Sequence, residues 1–248
     1  MNLVIDIGNS LAKTALFRGN ELSSFSSFEK LSLDTLKRLL DLNPSVKNVI
    51  LSSVVNHDKS IADFLRLKYH FIELSHDTKL PLENLYASPQ TLGKDRLAAA
   101  TGANSLYRNQ NILSVDAGTC IKYDFVNEKN QYMGGAIAPG IEMRFKSLNK
   151  FTDKLPLVNY KYFDHLTGQN TEDSILSGVM NGIAEEVKGI IQRYEQQYPD
   201  IKVVFTGGYL KFFEKIFYIG SNGKSNIFAD AFLVLKGLNH ILNFNEKK

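Results

Sequence analysis

Apolar residues along this chain follow two spacings in turn. Short unbroken runs alternate with stretches in which they return every three or four positions, the pattern of strands alternating with helices. Leu3 to Ile7 is apolar except for Asp6, Gly8-Asn9-Ser10 carries turn chemistry, and Ala12 to Phe17 is a second run, so the chain opens as strand, tight turn and strand. A third strand is predicted through Ser24 to Phe28. Leu33, Leu36, Leu39 and Leu40 recur at helical spacing until Asn43-Pro44 stops them. Val49 to Val55 reads as a strand buried on both faces, Ile61, Phe64 and Leu65 as a helix, and His70 to Leu74 as a further strand.

Lys79 to Leu92, with Pro81 and Pro89, is predicted to be a loop, and the Ala-rich Asp95 to Tyr107 a helix. The opening pattern then returns: a strand from Ile112 to Asp116, a turn at Ala117-Gly118-Thr119, a strand from Ile121 to Val126, and a third from Tyr132 to Ala138 that ends in Pro139-Gly140. A long helix carries an apolar stripe from Ile175 to Tyr194. After it, Ile201 to Phe205 is a strand leading into Thr206-Gly207-Gly208, with helices from Tyr209 to Ile216 and from Ala229 to Leu242. Asp6-Ile7-Gly8-Asn9 and Asp116-Ala117-Gly118-Thr119 occupy the same junction in two blocks of similar order. An internal duplication accounts for this: two α/β lobes, residues 1–110 and 111–248, hinged near Asn111 with a cleft between them.

Composition narrows the picture. With 248 residues, 44% apolar and 22% charged, the chain is globular rather than disordered. Its net charge of +3 is spread along the sequence, and the only local run is Glu246-Lys247-Lys248, read as a solvated tail, so neither nucleic acid nor a membrane surface is an expected partner. The single cysteine, Cys120, excludes an internal disulfide and a thiolate-rich zinc site and points to a reducing compartment. Asp6 interrupts the N-terminal apolar run, so no signal peptide is expected there, and no stretch approaches the ~18 apolar residues of a spanning helix. A cytoplasmic location follows by elimination.

The chemistry lies in the turns. In Asp-x-Gly-Asn/Thr the glycine brings backbone N–H groups close to an anion, and the carboxylate can hold a phosphate-bound cation. Two such turns plus Thr206-Gly207-Gly208 point to a nucleotide clamped between two lobes; no Gly-x-Gly-x-x-Gly opens a helix as a dinucleotide site requires. Gly220-Ser221-Asn222-Gly223-Lys224-Ser225 looks like a phosphate-binding loop, but its glycines are too close together, and a surface loop is expected. At Gly93-Lys94-Asp95-Arg96, a predicted helix start, Asp95 is either a dipole partner or a base that takes a proton from an attacking hydroxyl, while Arg96 suits bidentate contact with a carboxylate or phosphate. The five histidines show no metal-ligand spacing. Cys120 reads as a small hydrophobe rather than a nucleophile, and no Gly-x-Ser-x-Gly elbow is present.

The ordered set of motifs resembles the type III pantothenate kinases, members of the acetate and sugar kinase, heat-shock chaperone and actin superfamily. The residues that carry the likeness are Asp6 to Lys13, Tyr86, Gly93 to Arg96, Asp116 to Thr119, Gly134 to Gly140, Thr171 with Ser177-Gly178, Thr206 to Gly208 and Leu235 to Leu238. The resemblance implies a duplicated ribonuclease H-like, actin-like ATPase fold, a homodimer, and ATP-dependent phosphorylation of pantothenate to 4'-phosphopantothenate, the first step of coenzyme A biosynthesis. It implies Asp95 as general base and Arg96 on the pantothenate carboxylate, with Tyr86, Gly93, Lys94 and Thr171 around the substrate. Asp6, Ile7, Gly8, Asn9, Ser10, Leu11, Ala12 and Lys13, with Thr119, would hold ATP, Asp6 helping to place Mg²⁺, and Asp116 would bind a monovalent cation, K⁺ or NH₄⁺. On the same grounds the Ile175–Tyr194 stripe packs either on its own lobe or also on a partner copy.

Ser10 stands where the family usually has Thr, and Lys122 where it commonly has Thr. Lys122 either meets phosphate or points to solvent from its strand. Two other activities fit the same motifs: a superfamily kinase acting on another small hydroxylated substrate, such as a sugar, and a non-catalytic nucleotide-binding regulator.

Overall fold

A computed structural model describes residues 1–219 and 226–246. The Gly220–Ser225 segment, expected as a surface loop, and Lys247 and Lys248 of the expected solvated tail lie outside the described residues. The chain forms two compact units: residues 1–110, 126–134 and 232–248, and residues 111–125 and 135–231.

In the first unit β1 (Asn2–Ile7), β2 (Ala12–Arg18) and β3 (Glu21–Phe28) form an antiparallel meander, and β4 (Asn48–Ser53) and β5 (His70–Glu73) add in parallel on the other side of β1, in the order β3-β2-β1-β4-β5. Strand alternation sends successive side chains to opposite cores. Leu3 and Ile5 pack with Leu36 and Leu40 of α1 (Leu33–Asp41) and with Ile61 and Leu65 of α2 (Lys59–Lys68). Val4 and Ile50 pack on the opposite side with Ala98 of α3 (Lys94–Leu106) and with Leu235, Leu238 and Ile241 of α7 (Leu233–Glu246). Helices on both faces are why β1 and β4 read as nearly continuous apolar runs.

Helices α3 and α7 cross at backbone contact. A Cβ on Gly237 would stand 1.9 Å from the Ala98 carbonyl oxygen, and one on Gly102 2.3 Å from that of Leu233. That crossing explains the Ala-Ala-Ala-Thr-Gly-Ala stretch of α3, which is buried around nearly its whole circumference. It also fixes the height of the α3 N-terminus, where Asp95 lies. The stretch expected as a loop from Lys79 to Leu92 contains a short strand, β6 (Glu83–Asn84), which pairs in parallel with Gln131-Tyr132, and one 3₁₀ turn at Pro89–Thr91.

The second unit repeats the strand plan. Its sheet runs β9 (Gln131–Pro139), β8 (Cys120–Val126), β7 (Ile112–Ala117), β10 (Lys202–Thr206), β11 (Ile227–Ala229), with β10 parallel to both β7 and β11. Its core joins Leu113, Val115 and Phe205 to Leu176, Met180, Ile183 and Val187 of α5 (Thr171–Gln197) and to Phe213 of α6 (Leu210–Ile216). The α5 stripe therefore packs on its own unit.

The third strand of this unit ends at Pro139, as expected, and Gly140 caps α4 (Ile141–Lys150), which the sequence pattern does not announce because its buried residues, Ile141 and Phe145, leave too sparse an apolar pattern. One expectation is corrected. Ala229 to Leu242 is not one helix: Ile227–Ala229 pairs with β10 first, and α7 begins at Leu233.

Candidate active site

In the first unit Asp6 stands at the end of β1, in register with Lys13 on one side and Ser52 on the other, and is 9% exposed. The hairpin beyond it is closed by the Gly8 N–H donating to Leu11 O at 3.0 Å. Parallel neighbours end at the same level, so the chain leaving β4 lies beside this turn: Val54 N–H donates to Ile7 O at 3.1 Å, and Ser53 Oγ donates to Val55 O at 2.7 Å. Such a crevice outside the carboxyl ends of parallel strands is where open α/β sheets bind ligands. Asn9, Ser10 and Leu11 are exposed at the hairpin tip, Ile7, Gly8 and Lys13 are half-buried, and Ala12 is buried.

Asp95 occupies the first turn of α3, and its Oδ1 accepts the Arg96 N–H at 2.9 Å. A Cβ on Gly93 would stand 2.7 Å from that oxygen. Arg96 is 5% exposed, its guanidinium 5.7 Å from the centroid of the Tyr86 ring, and Tyr86 leans on Tyr132 at 6.1 Å. Tyr86, Gly93, Asp95 and Arg96 are thus brought together. Beside them a cavity of about 650 Å³ is lined by Ser53, Val54, Val55, Asn56, Leu92, Gly93 and Lys94. The Ser53–Asn56 wall was not anticipated; its signal is the turn position after a parallel strand next to β1.

In the second unit Asp116 ends β7 in register with Thr206 of β10. Three glycine turns meet around it. Gly118 N–H donates to Cys120 O at 3.0 Å, Gly140 N–H to Thr119 O at 3.2 Å, and Tyr209 N–H to Ala117 O at 3.0 Å. Gly207 has φ +99°, and a Cβ there would lie 2.5 Å from Ala117 O and 2.6 Å from Asp116 Oδ1, so only glycine fits. Thr119 is exposed at the hairpin tip.

Lys122 does not point to solvent. Its Nζ lies 2.6 Å from Asp116 Oδ2, and the two side chains are only 15% and 12% exposed. Nearby, the Tyr209 hydroxyl donates to Glu142 Oε1 at 3.3 Å; burial, and next the Glu142 charge, push the phenol up to about 12. Burial, with Glu186, raises Tyr123 as well. Thr171 is the exposed first residue of α5, behind Asn170, whose side chain accepts the Asp173 N–H at 2.9 Å.

Among the described residues no three His, Cys, Asp or Glu side chains form a metal cage. Mg²⁺ needs none, since it is usually held by one or two carboxylates together with phosphates and waters, and Asp6 fits that demand. No helix among the described residues is long and apolar enough to cross a membrane.

Two sheets of one strand plan, each ending its first strand in an Asp-x-Gly turn, define the class: a duplicated ribonuclease H-like fold of the actin-like ATPase and sugar kinase type. The fold is shared with a Listeria monocytogenes protein described as an N-acetylmannosamine kinase (TM-score 0.53, 15% identity, 99% of each chain covered). It is also shared with the activator of the 2-hydroxyisocaproyl-CoA dehydratase from Clostridium difficile (TM-score 0.55, 13% identity, 99% of this chain and 94% of that one). The family model for type III pantothenate kinase matches residues 2–193, and the type III pantothenate kinase of Phocaeicola vulgatus is 47% identical over 248 residues, covering the whole of both chains. The chain belongs to the type III pantothenate kinase family. It is an enzyme that phosphorylates pantothenate with ATP in coenzyme A biosynthesis, using a divalent metal.

Proposed function

We propose that Asp95 is the general base of this reaction and that Arg96 grips the pantothenate carboxylate, with Tyr86, Gly93, Lys94 and Thr171 around the substrate. Asp6 to Lys13 and Thr119 take ATP, and Asp6 helps to place Mg²⁺. Bound ATP with its divalent cation supplies the transferable phosphoryl group. Asp95 accepts the proton of the primary hydroxyl as its oxygen bonds to the γ-phosphorus, and the bond to the β–γ bridging oxygen breaks to release ADP.

The observation that carries this reading is the start of α3, where a carboxylate and a buried guanidinium stand on consecutive residues beside a cavity that Gly93 and Lys94 line. Their chemistry matches the substrate, which offers one hydroxyl to deprotonate and one carboxylate to hold. A sugar has no carboxylate for Arg96, which disfavours the sugar-kinase alternative. A homodimer and a cytoplasmic location belong to the same reading. The exposed apolar Phe151, Leu157 and Leu166 support the first, and the use of ATP supports the second.

The test is Asp95→Asn, with ADP formation from ATP and pantothenate read by chromatography. A loss of about 100-fold or more is expected, in line with general-base contributions of 10²–10⁴. Unchanged turnover would remove Asp95 from the mechanism.

A further inference from the structure

The resemblance assigns an exchangeable K⁺ or NH₄⁺ to Asp116, and the residues around this carboxylate do not fit one. Asp116 and Lys122 each lie two residues beyond the Gly118–Cys120 hydrogen bond that closes the hairpin, which makes them a directly opposed cross-strand pair. Ile121 and Tyr123, on either side of Lys122, are 1% and 0% exposed in the core on the other face of β8. The lysine is therefore turned to the Asp116 side by strand alternation. Its ammonium meets Oδ2 at 2.6 Å, shorter than an ordinary charge-assisted N–H···O bond, with both side chains largely withdrawn from water. The other oxygen, Oδ1, faces the Gly207 backbone so closely that a Cβ there would come within 2.6 Å. One side of the carboxylate is taken by a cation and the other by the glycine turn. A second monovalent cation would add a like charge next to the ammonium.

We propose that Lys122 supplies, as an ammonium ion on a four-carbon tether, the positive charge that an exchangeable monovalent cation would otherwise bring to Asp116, so that this enzyme works without K⁺ or NH₄⁺. The activity arm of the test rests on the kinase reading above; the binding arm does not.

Turnover of the full chain is measured in the chlorides of potassium, ammonium, sodium and tetramethylammonium at equal ionic strength, with ADP read by chromatography so that no coupling enzyme responds to the salt. The unaltered protein is expected to hold its rate within about twofold across all four. Lys122→Thr, which opens space beside Asp116, is expected to lose about tenfold or more in sodium and to be rescued by potassium or ammonium. Lys122→Met, which removes the charge but fills the space, is expected to lose activity without rescue. In the binding arm, thermal unfolding midpoints are compared in potassium and sodium. They should coincide for the unaltered protein and separate for Lys122→Thr. A potassium-specific rate or midpoint in the unaltered protein overturns the proposal, as does Lys122→Thr with full activity in sodium or without rescue. Absence of turnover in every salt sinks the kinase reading, and the midpoints of the unaltered protein then decide the proposal about Lys122.

Discussion

Replacing Gly93 by alanine tests the position of Asp95 without removing any functional group. Gly93 has φ −58° and ψ 128°, a conformation any residue adopts, so the backbone tolerates the change. The new Cβ would stand 2.7 Å from Asp95 Oδ1, about 0.7 Å inside the 3.4 Å at which ordinary contact begins, while its next neighbours, Cγ and Cδ of Arg96, are at 3.6 and 3.7 Å. The whole misfit therefore falls on the tip of one flexible side chain, which relieves it by swinging away. The cost to the fold is small: alanine for glycine at an N-cap is worth about 1 kcal/mol or less, which is a shift of about 2–4 °C in Tm for a chain of this length. The cost to the chemistry is larger, because a misplacement of about 1 Å can remove about 100-fold in rate, so kcat is expected to fall about 10- to 100-fold. ADP formation at saturating pantothenate measures it, with thermal unfolding alongside. In the Asp95→Asn background the same change should add almost nothing, since both act through one carboxylate. A kcat within about twofold of the parent, with Tm preserved, would mean that Asp95 does not meet the reacting hydroxyl.

Two further outcomes follow from the same geometry. Arg96→Ala is expected to raise KM for pantothenate by about 10- to 100-fold, the worth of hydrogen bonds to a charged group, and Arg96→Lys to recover little because an ammonium lacks the planar fork; an unchanged KM refutes the grip. Tyr209 should make the fold sensitive to alkali. Its phenol ionises near 10 in the unfolded chain and near about 12 in the folded one, so between those values the unfolded state loses its proton first and stability falls as pH rises, with no effect at neutrality. Tm at pH 9 and 11 should show a smaller drop in Tyr209→Phe than in the parent, with the remainder carried in part by Tyr123, and equal drops would refute this account.

The longer strands of both sheets were legible because burial on both faces or one leaves a period that propensity cannot disguise, whereas the two-residue β6 and three-residue β11 are too short to show one. Leu3-Val4-Ile5 and Val49-Ile50-Leu51 are runs because helices cover both sides of their sheet. Helix α4 was not legible for the opposite reason. It rests on the core through Ile141 and Phe145 alone, and Met143 at 42% exposed and Leu148 at the edge of the core blur the face that a periodic reading looks for. The start of α7 was misplaced because Ile227-Phe228-Ala229 continues the apolar character of the helix while its hydrogen bonds go to β10, a partner more than twenty residues away along the chain.

The site shows the same division between what one segment encodes and what an opposed pair encodes. The placement of Asp95 and Arg96 at a helix start, and of the glycine turns at strand ends, was readable because each sits at a junction that its own neighbours announce; the roles of the two side chains were not, and they come from the resemblance. Lys122 was readable only halfway, since alternation fixes which face a strand residue takes but not what stands across from it. The missing step is the hairpin register: the Gly118 N–H donates to Cys120 O, which sets residue 116 opposite residue 122 and pairs the aspartate with the lysine. The ammonium of Lys122 at 2.6 Å from Asp116 Oδ2 is what the proposed independence from an exchangeable cation rests on, and the salt series on the unaltered protein and on Lys122→Thr decides it.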